Sequence, residues 1–125
     1  MLAADTSTVI AWLQADSSSD VDAFASALRA RTIALPPVVV TELMSDPKAG
    51  EKVRDLLEGT RMLELREGYW NRAGSTRSLL LRKGLKARLG DALVAQACID
   101  LQVPLIARDG DFRHFAKHCG LKLAL

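Results

Sequence analysis

Gly90-Asp91-Ala92-Leu93-Val94-Ala95-Gln96-Ala97-Cys98-Ile99-Asp100-Leu101, followed by Gln102-Val103 and then Pro104-Leu105-Ile106-Ala107, decides the fold class. Apolar side chains nearly encircle the helix predicted over Ala92 to Leu101, so that helix is expected to be buried. Pro104 to Ala107 is a short apolar run of strand length, read as a buried strand. The same alternation continues outward in both directions. Leu2 to Ala4 reads as a strand, Asp5-Thr6-Ser7-Thr8 as a helix cap, and Val9 to Gln14 as a helix. After a polar loop at Asp16 to Asp20, Val21, Phe24, Ala25 and Leu28 recur at helical spacing, giving a helix to about Ala30. Ile33 to Leu35 is a strand stopped by Pro36-Pro37. Val38 to Met44 has a valine run that suits a strand, but the preceding prolines and Thr41-Glu42 favour a helix. Asp46-Pro47 is expected to start a helix over Lys48 to Glu58. Met62 to Leu65 is a strand, and Tyr69 to Lys83 a long helix stopped at Gly84. Beyond Ala107 come a turn at Arg108 to Asp111, a short helix over Phe112 to His118 and a last strand over Leu121 to Leu125. Strands alternating with helices predict a three-layer α/β/α sandwich with a central, mainly parallel sheet, in one domain over residues 1–125.

Composition narrows the class. The chain has 125 residues, 49% hydrophobic and 26% charged, which excludes disordered, collagenous and low-complexity chains. Its longest uncharged, weakly polar stretch, about Ile33 to Val40, contains two prolines and is too short for a membrane span. The N-terminus has no basic region and carries an acid at position 5, so no cleaved secretory signal is expected. Cys98 and Cys119 have no metal-ligand spacing and read as ordinary thiols of a reducing compartment, which predicts a cytoplasmic protein. The net charge of +2 says little, but its distribution is uneven. Tyr69 to Gly90 holds no acid and six bases: Arg72, Arg77, Arg82, Lys83, Lys86 and Arg88. This is either a polyanion contact or a solvated helix face.

Open parallel sheets bind ligands beyond the carboxyl ends of their strands, and several acids fall there. Asp5 follows the first strand, Glu42 lies in the helix after Leu35, Asp91 opens the buried helix, and Asp109 and Asp111 follow Ala107. Each aspartate also reads as an N-cap. Glu42 either faces solvent or shares a face with Val38 and Val39, where a carboxylate would need a partner. If these acids converge, their mutual repulsion requires a cation, and an all-oxygen ligand set selects Mg²⁺ or Mn²⁺. Such an ion activates water and neutralises a phosphate. Other chemistries read poorly. His114 and His118 are four apart without the glutamate of a zincin, and there is no phosphate-cradling glycine loop and no Gly-x-Ser-x-Gly elbow. Trp12, Trp70 and the three phenylalanines are too scattered for a base-stacking platform.

Asp5-Thr6-Ser7, Pro37-Val38-Val39-Val40-Thr41-Glu42-Leu43, Gly90-Asp91-Ala92-Leu93-Val94-Ala95 and Leu105-Ile106-Ala107-Arg108-Asp109-Gly110-Asp111-Phe112, in this order and spacing, resemble the PIN-domain family. More narrowly they resemble VapC-type toxins of bacterial toxin–antitoxin pairs. The resemblance spans the whole chain. It implies a Mg²⁺- or Mn²⁺-dependent endoribonuclease that leaves a 5′-phosphate and a 3′-hydroxyl, commonly a homodimer, inhibited by a small DNA-binding antitoxin. Carried over, Asp5, Glu42 and Asp91 are the first three catalytic and metal-binding acids. The fourth is Asp109, with Asp111 as its competitor. The six bases of Tyr69 to Gly90 would contact the RNA backbone. Family members often have Thr or Ser where this chain has Ala107, a hydroxyl that could orient a carboxylate or water. The rival reading is a non-catalytic RNA- or protein-binding module on a degenerate fold of this kind.

Overall fold

A computed structural model describes residues 1–108 and 110–125; the Asp109 candidate lies outside the described residues. The chain runs β1 (Ala3–Ala4), α1 (Thr6–Leu13), α2 (Ser19–Arg29), β2 (Ala34–Leu35), α3 (Pro37–Met44), α4 (Glu51–Glu58), β3 (Arg61–Met62), α5 (Tyr69–Arg82), α6 (Leu89–Leu101) and β4 (Leu105–Ile106). A 3₁₀ turn at Gly110–Phe112 and α7 (Arg113–Cys119) follow.

The strands are short, and every pairing is parallel. Ala3 registers with Leu105 and Ala4 with Ile106; Ala34 registers with Arg61 and Leu35 with Met62. Parallel bridges Leu2–Ile33 and Leu105–Leu123 join the pieces. The spatial order is therefore β3, β2, β1, β4, then the segment at Leu123. The chain moves from β1 outward to β3, then returns to the other side of β1. Right-handed crossovers in these two directions put helices on opposite faces, which makes the three-layer α/β/α sandwich. The change of direction makes the β1–β4 boundary the topological switch point, where a crevice opens at the carboxyl ends of the strands.

Several boundaries differ from the sequence reading: β3 covers Arg61–Met62 where Met62 to Leu65 is predicted, and α2 begins at Ser19 within the predicted loop. Helix α1 begins at Thr6 because Asp5 is its N-cap: Oδ1 accepts the Thr8 N–H at 3.0 Å. Asp46-Pro47 makes a turn, with Lys48 N–H on Asp46 Oδ1 at 2.9 Å, and α4 starts only at Glu51. Helix α6 begins at Leu89, so Asp91 lies inside its first turn and does not cap it. The last strand reduces to one bridge, made by Leu105 N–H on Lys122 O at 2.9 Å and Ala124 N–H on Leu105 O at 2.8 Å. Gly84 takes a left-handed φ of +74° after α5, as its stop position requires.

The core is built from Val9, Phe24, Leu35, Val39, Leu80, Val94, Leu105, Ile106, Phe112 and Phe115, all essentially inaccessible. Burying each large side chain contributes roughly 1.5–3 kcal/mol. Helix α6 is buried through Ala92, Val94, Ala95, Ala97 and Cys98, whose small volumes let α5 pack closely against it. Burial pushes the Cys98 thiol up to about 12, so it stays protonated. Among the described residues, no helix is long and apolar enough to cross a membrane.

Candidate active site

At the switch point, Asp5, Glu42, Asp91 and Asp111 line one cavity of about 230 Å³, together with Thr6, Ser7 and Arg88. Each acid arrives on a different element. Asp5 leaves β1 with its N–H on Ile106 O at 3.0 Å, a sheet bond that fixes its backbone beside the end of β4. Glu42 is carried by α3, the helix after β2. Asp91 comes from the first turn of α6, which runs back along the sheet and presents its N-terminus at the carboxyl edge. Asp111 lies in the 3₁₀ turn after β4.

Asp5 is only 4% exposed. Its Oδ1 accepts the Thr8 N–H, and its Oδ2 accepts the Ser7 hydroxyl at 2.9 Å. Capping and lining the cavity are thus not alternatives for Asp5, because one oxygen caps while the other faces Ser7. Glu42 is exposed, not set on the apolar face with Val39, and its Oε1 accepts the Thr6 hydroxyl at 2.8 Å. Its Oε2 lies 4.0 Å from where a Cβ on Gly90 would stand, which places it over the first turn of α6. The cap reading fails for Asp91, but the helix dipole still favours a carboxylate in that turn. Thr6 and Ser7 are functional candidates without an assigned role in the sequence reading, although their hydroxyls adjoin Asp5. All donors facing the cavity from these residues are oxygens, the chemistry of a hard divalent cation. Among the described residues, no three His, Cys, Asp or Glu side chains gather tightly enough to hold one ion.

Behind Asp5 lies a second carboxylate that the sequence did not single out. Asp20, 6% exposed, accepts Thr8 Oγ1 at 2.9 Å, Ser18 Oγ at 2.5 Å and Arg108 Nε at 3.1 Å. Arg108 also reaches Asp16 Oδ2 at 2.8 Å and Ser18 Oγ at 2.7 Å. Burial alone would raise the Asp20 pKa. The hydrogen bonds from Ser18, Arg108 and Thr8 outweigh it and bring the value down to about 2.

The six bases of the acid-free segment do not come together. Arg88 lines the acidic cavity, and Lys86 joins it around a neighbouring cavity of about 50 Å³. Arg72 is paired with Asp100, Nε–Oδ1 at 3.0 Å and Nη2–Oδ2 at 2.7 Å. Arg77 Nε donates to Ala87 O at 2.8 Å. Arg82 lines a separate depression with Asn71, Gly74, Ser75 and Ser78. Lys83 ends α5 as its C-cap.

The fold is shared with known proteins. A chain of the crystal structure of VapBC2 from Rickettsia felis bound to a DNA fragment from their promoter is similar over 98% of this chain and 96% of that one, at 18% identity and a TM-score of 0.71. A chain of VapBC-5 from Mycobacterium tuberculosis, a member of the VapBC family of toxin–antitoxin systems, is similar over 73% of this chain and 79% of that one, at 19% identity and a TM-score of 0.57. Among curated proteins none matches. Residues 3–118 match the PIN domain, nearly the whole chain, and the protein belongs to the PIN-domain family.

Proposed function

We propose that this chain is a single PIN-like domain over residues 1–125 that acts as a metal-dependent endoribonuclease, the toxin of a toxin–antitoxin pair. The observation that carries the reading is the lining of one cavity at the switch point by Asp5, Glu42, Asp91 and Asp111 with the Thr6 and Ser7 hydroxyls. Family membership supports nuclease chemistry, and the fold shared with chains of VapBC complexes supports the toxin assignment.

The oxygen chemistry of Asp5, Glu42 and Asp91 suits Mg²⁺, with Mn²⁺ as substitute, and Asp109, outside the described residues, is the expected fourth ligand. The bound ion supplies water activation and charge neutralisation at a phosphodiester. Ser7 and the Thr8 N–H hold the Asp5 carboxylate in one orientation. Thr6 does the same for Glu42 across 36 residues of sequence. Asp109 or Asp111 would bind a second ion or orient the water. Ala107 offers no hydroxyl, and Thr6 and Ser7 are the hydroxyls that line this cavity. The products would be a 5′-phosphate and a 3′-hydroxyl.

A small DNA-binding antitoxin is the expected partner, in the cytoplasm, with the toxin a homodimer. A groove of about 550 Å³ lined by Trp12, Leu28 and Leu56 together with Arg31, Lys52 and Asp55 offers a seat for a partner segment. The rival reading, a binding module without catalysis, is favoured by one observation: no three described acids gather around one ion position. Purified protein with total RNA decides between them. Cleavage that needs Mn²⁺ or Mg²⁺, is stopped by chelator and leaves 5′-phosphate ends supports the nuclease. RNA retained uncut in the presence of Mn²⁺ supports the module.

A further inference from the structure

Two segments of this chain carry bases and no acids: Tyr69 to Gly90, and Phe112 to Leu125. The fold brings the end of the first against the start of the second. Lys86 and Arg88, beyond the Gly84 turn, meet Arg113 and His114 of α7 around the 50 Å³ cavity, which shares Arg88, Asp91 and Asp111 with the acidic one. One turn further along α7 stand Lys117 and His118. The His118 pKa lies below the ordinary imidazole value through burial and through the facing charges of Lys83, Lys117 and His114. Basic side chains thus run from the edge of the acidic cavity outward along α7. The aromatic residues of this region, Phe112 and Phe115, are buried and offer no ring to a base.

We propose that this face is the track on which a single-stranded RNA backbone leaves the acidic cavity. Lys86, Arg88, Arg113 and His114 take the phosphates next to the one in the cavity, and Lys83 and Lys117 take those further out. This rests on the nuclease reading above. The contact is to phosphates and is indifferent to sequence, because charge is present and stacking surface is not. Arg72 and Arg77 stand outside the track: the fold has committed one to Asp100 and the other to the Ala87 carbonyl.

The test is the salt dependence of binding of a fluorescent single-stranded RNA oligonucleotide, in chelator so that no strand is cut. In the double variant Lys86→Ala/Arg113→Ala, affinity should fall about tenfold, and the slope of log K against log salt should become shallower by about 1.4, from roughly 0.7 per phosphate contact. Arg29→Ala/Arg54→Ala removes the same charge from α2 and α4 and should change the slope by less than half as much. If the double variant does not fold, Lys117→Gln on the exposed side of α7 should lower the slope by about 0.7. Equal slopes for track and control variants overturn the proposal, as does competition by polyglutamate as effective as that by RNA, which would point to an acidic protein. Metal-dependent cleavage of total RNA by the parent separates the two claims. Cleavage with an unaltered slope overturns the track alone, and the expected slope without cleavage upholds the track and overturns the nuclease.

Discussion

Arg108 Nε donates to the buried Asp20 Oδ2 at 3.1 Å, joining residues 88 positions apart. The pair ties the first turn of α2 to the chain as it leaves β4. The same Asp20 oxygen accepts the Thr8 hydroxyl, and the Thr8 N–H holds Asp5. The first acid of the cavity is therefore two hydrogen bonds from an ion pair that no local pattern announces.

Asp20→Asn should lower stability at neutral pH by about 2 kcal/mol, the scale of a carboxylate held near pKa 2 against an unfolded value near 4. A depressed folded pKa contributes stability that is fully present above the unfolded value and is lost as pH falls through the folded one. The gap in melting temperature between parent and variant should therefore be constant above about pH 5 and close between roughly pH 4 and pH 2. Thermal melts across that range check it. A gap that persists at pH 2 would mean that Asp20 acts through packing and not through charge.

Asp5→Asn separates capping from chemistry, and Asp91→Asn, at a residue that caps nothing, tests the chemistry alone. Asn caps about as well as Asp, so Asp5→Asn should melt within about 1 kcal/mol of the parent in chelator. Each variant loses a negative charge from the cavity, so the stabilisation by Mn²⁺ should shrink and RNA cleavage should fall more than about 100-fold. Melts with and without Mn²⁺ beside a cleavage assay read both effects. Variants that cleave as fast as the parent would remove these residues from the site.

Thr6→Val removes the hydroxyl on Glu42 while keeping the shape of the side chain. The bond is exposed, so stability should change by less than about 0.5 kcal/mol. If Glu42 works in the site, losing its anchor should lower activity or metal affinity about 10- to 100-fold. Titration of the parent and the variant with Mn²⁺ during cleavage distinguishes this from an idle surface contact.

Arg72→Ala should act on stability and not on RNA. Its partner Asp100 is nearly buried and also accepts Gln96 Nε2 at 2.7 Å, and Gln96 in turn accepts the Thr76 hydroxyl. The arginine is largely in solvent, so screening keeps the contribution of the pair modest. A lower melting temperature with an unchanged salt slope for RNA is the expected result.

Much of this fold was legible in local pattern. The apolar ring of α6 and the strand after it, the prolines that open α3, and the Gly84 stop are all consequences of side-chain periodicity and backbone stereochemistry, which need no distant contact. Placement of Asp5, Glu42, Asp91 and Asp111 at the carboxyl ends of strands followed from the same alternation, since a parallel sheet returns every crossover to the same edge. What local pattern left open needed coordinates. Asp91 reads as a cap until α6 is seen to begin two residues earlier. The six bases of Tyr69 to Gly90 read as one patch, yet the ion pair with Asp100 and the Gly84 turn send them to different places. The roles of Thr6 and Asp20 appear only when Glu42 and Arg108 arrive from 36 and 88 residues away. Periodicity and turn chemistry act within a few residues, and so they specify elements. Hydrogen bonds and ion pairs across the switch point form only after the sheet order has closed the chain on itself, so the partners of each polar side chain were settled by topology.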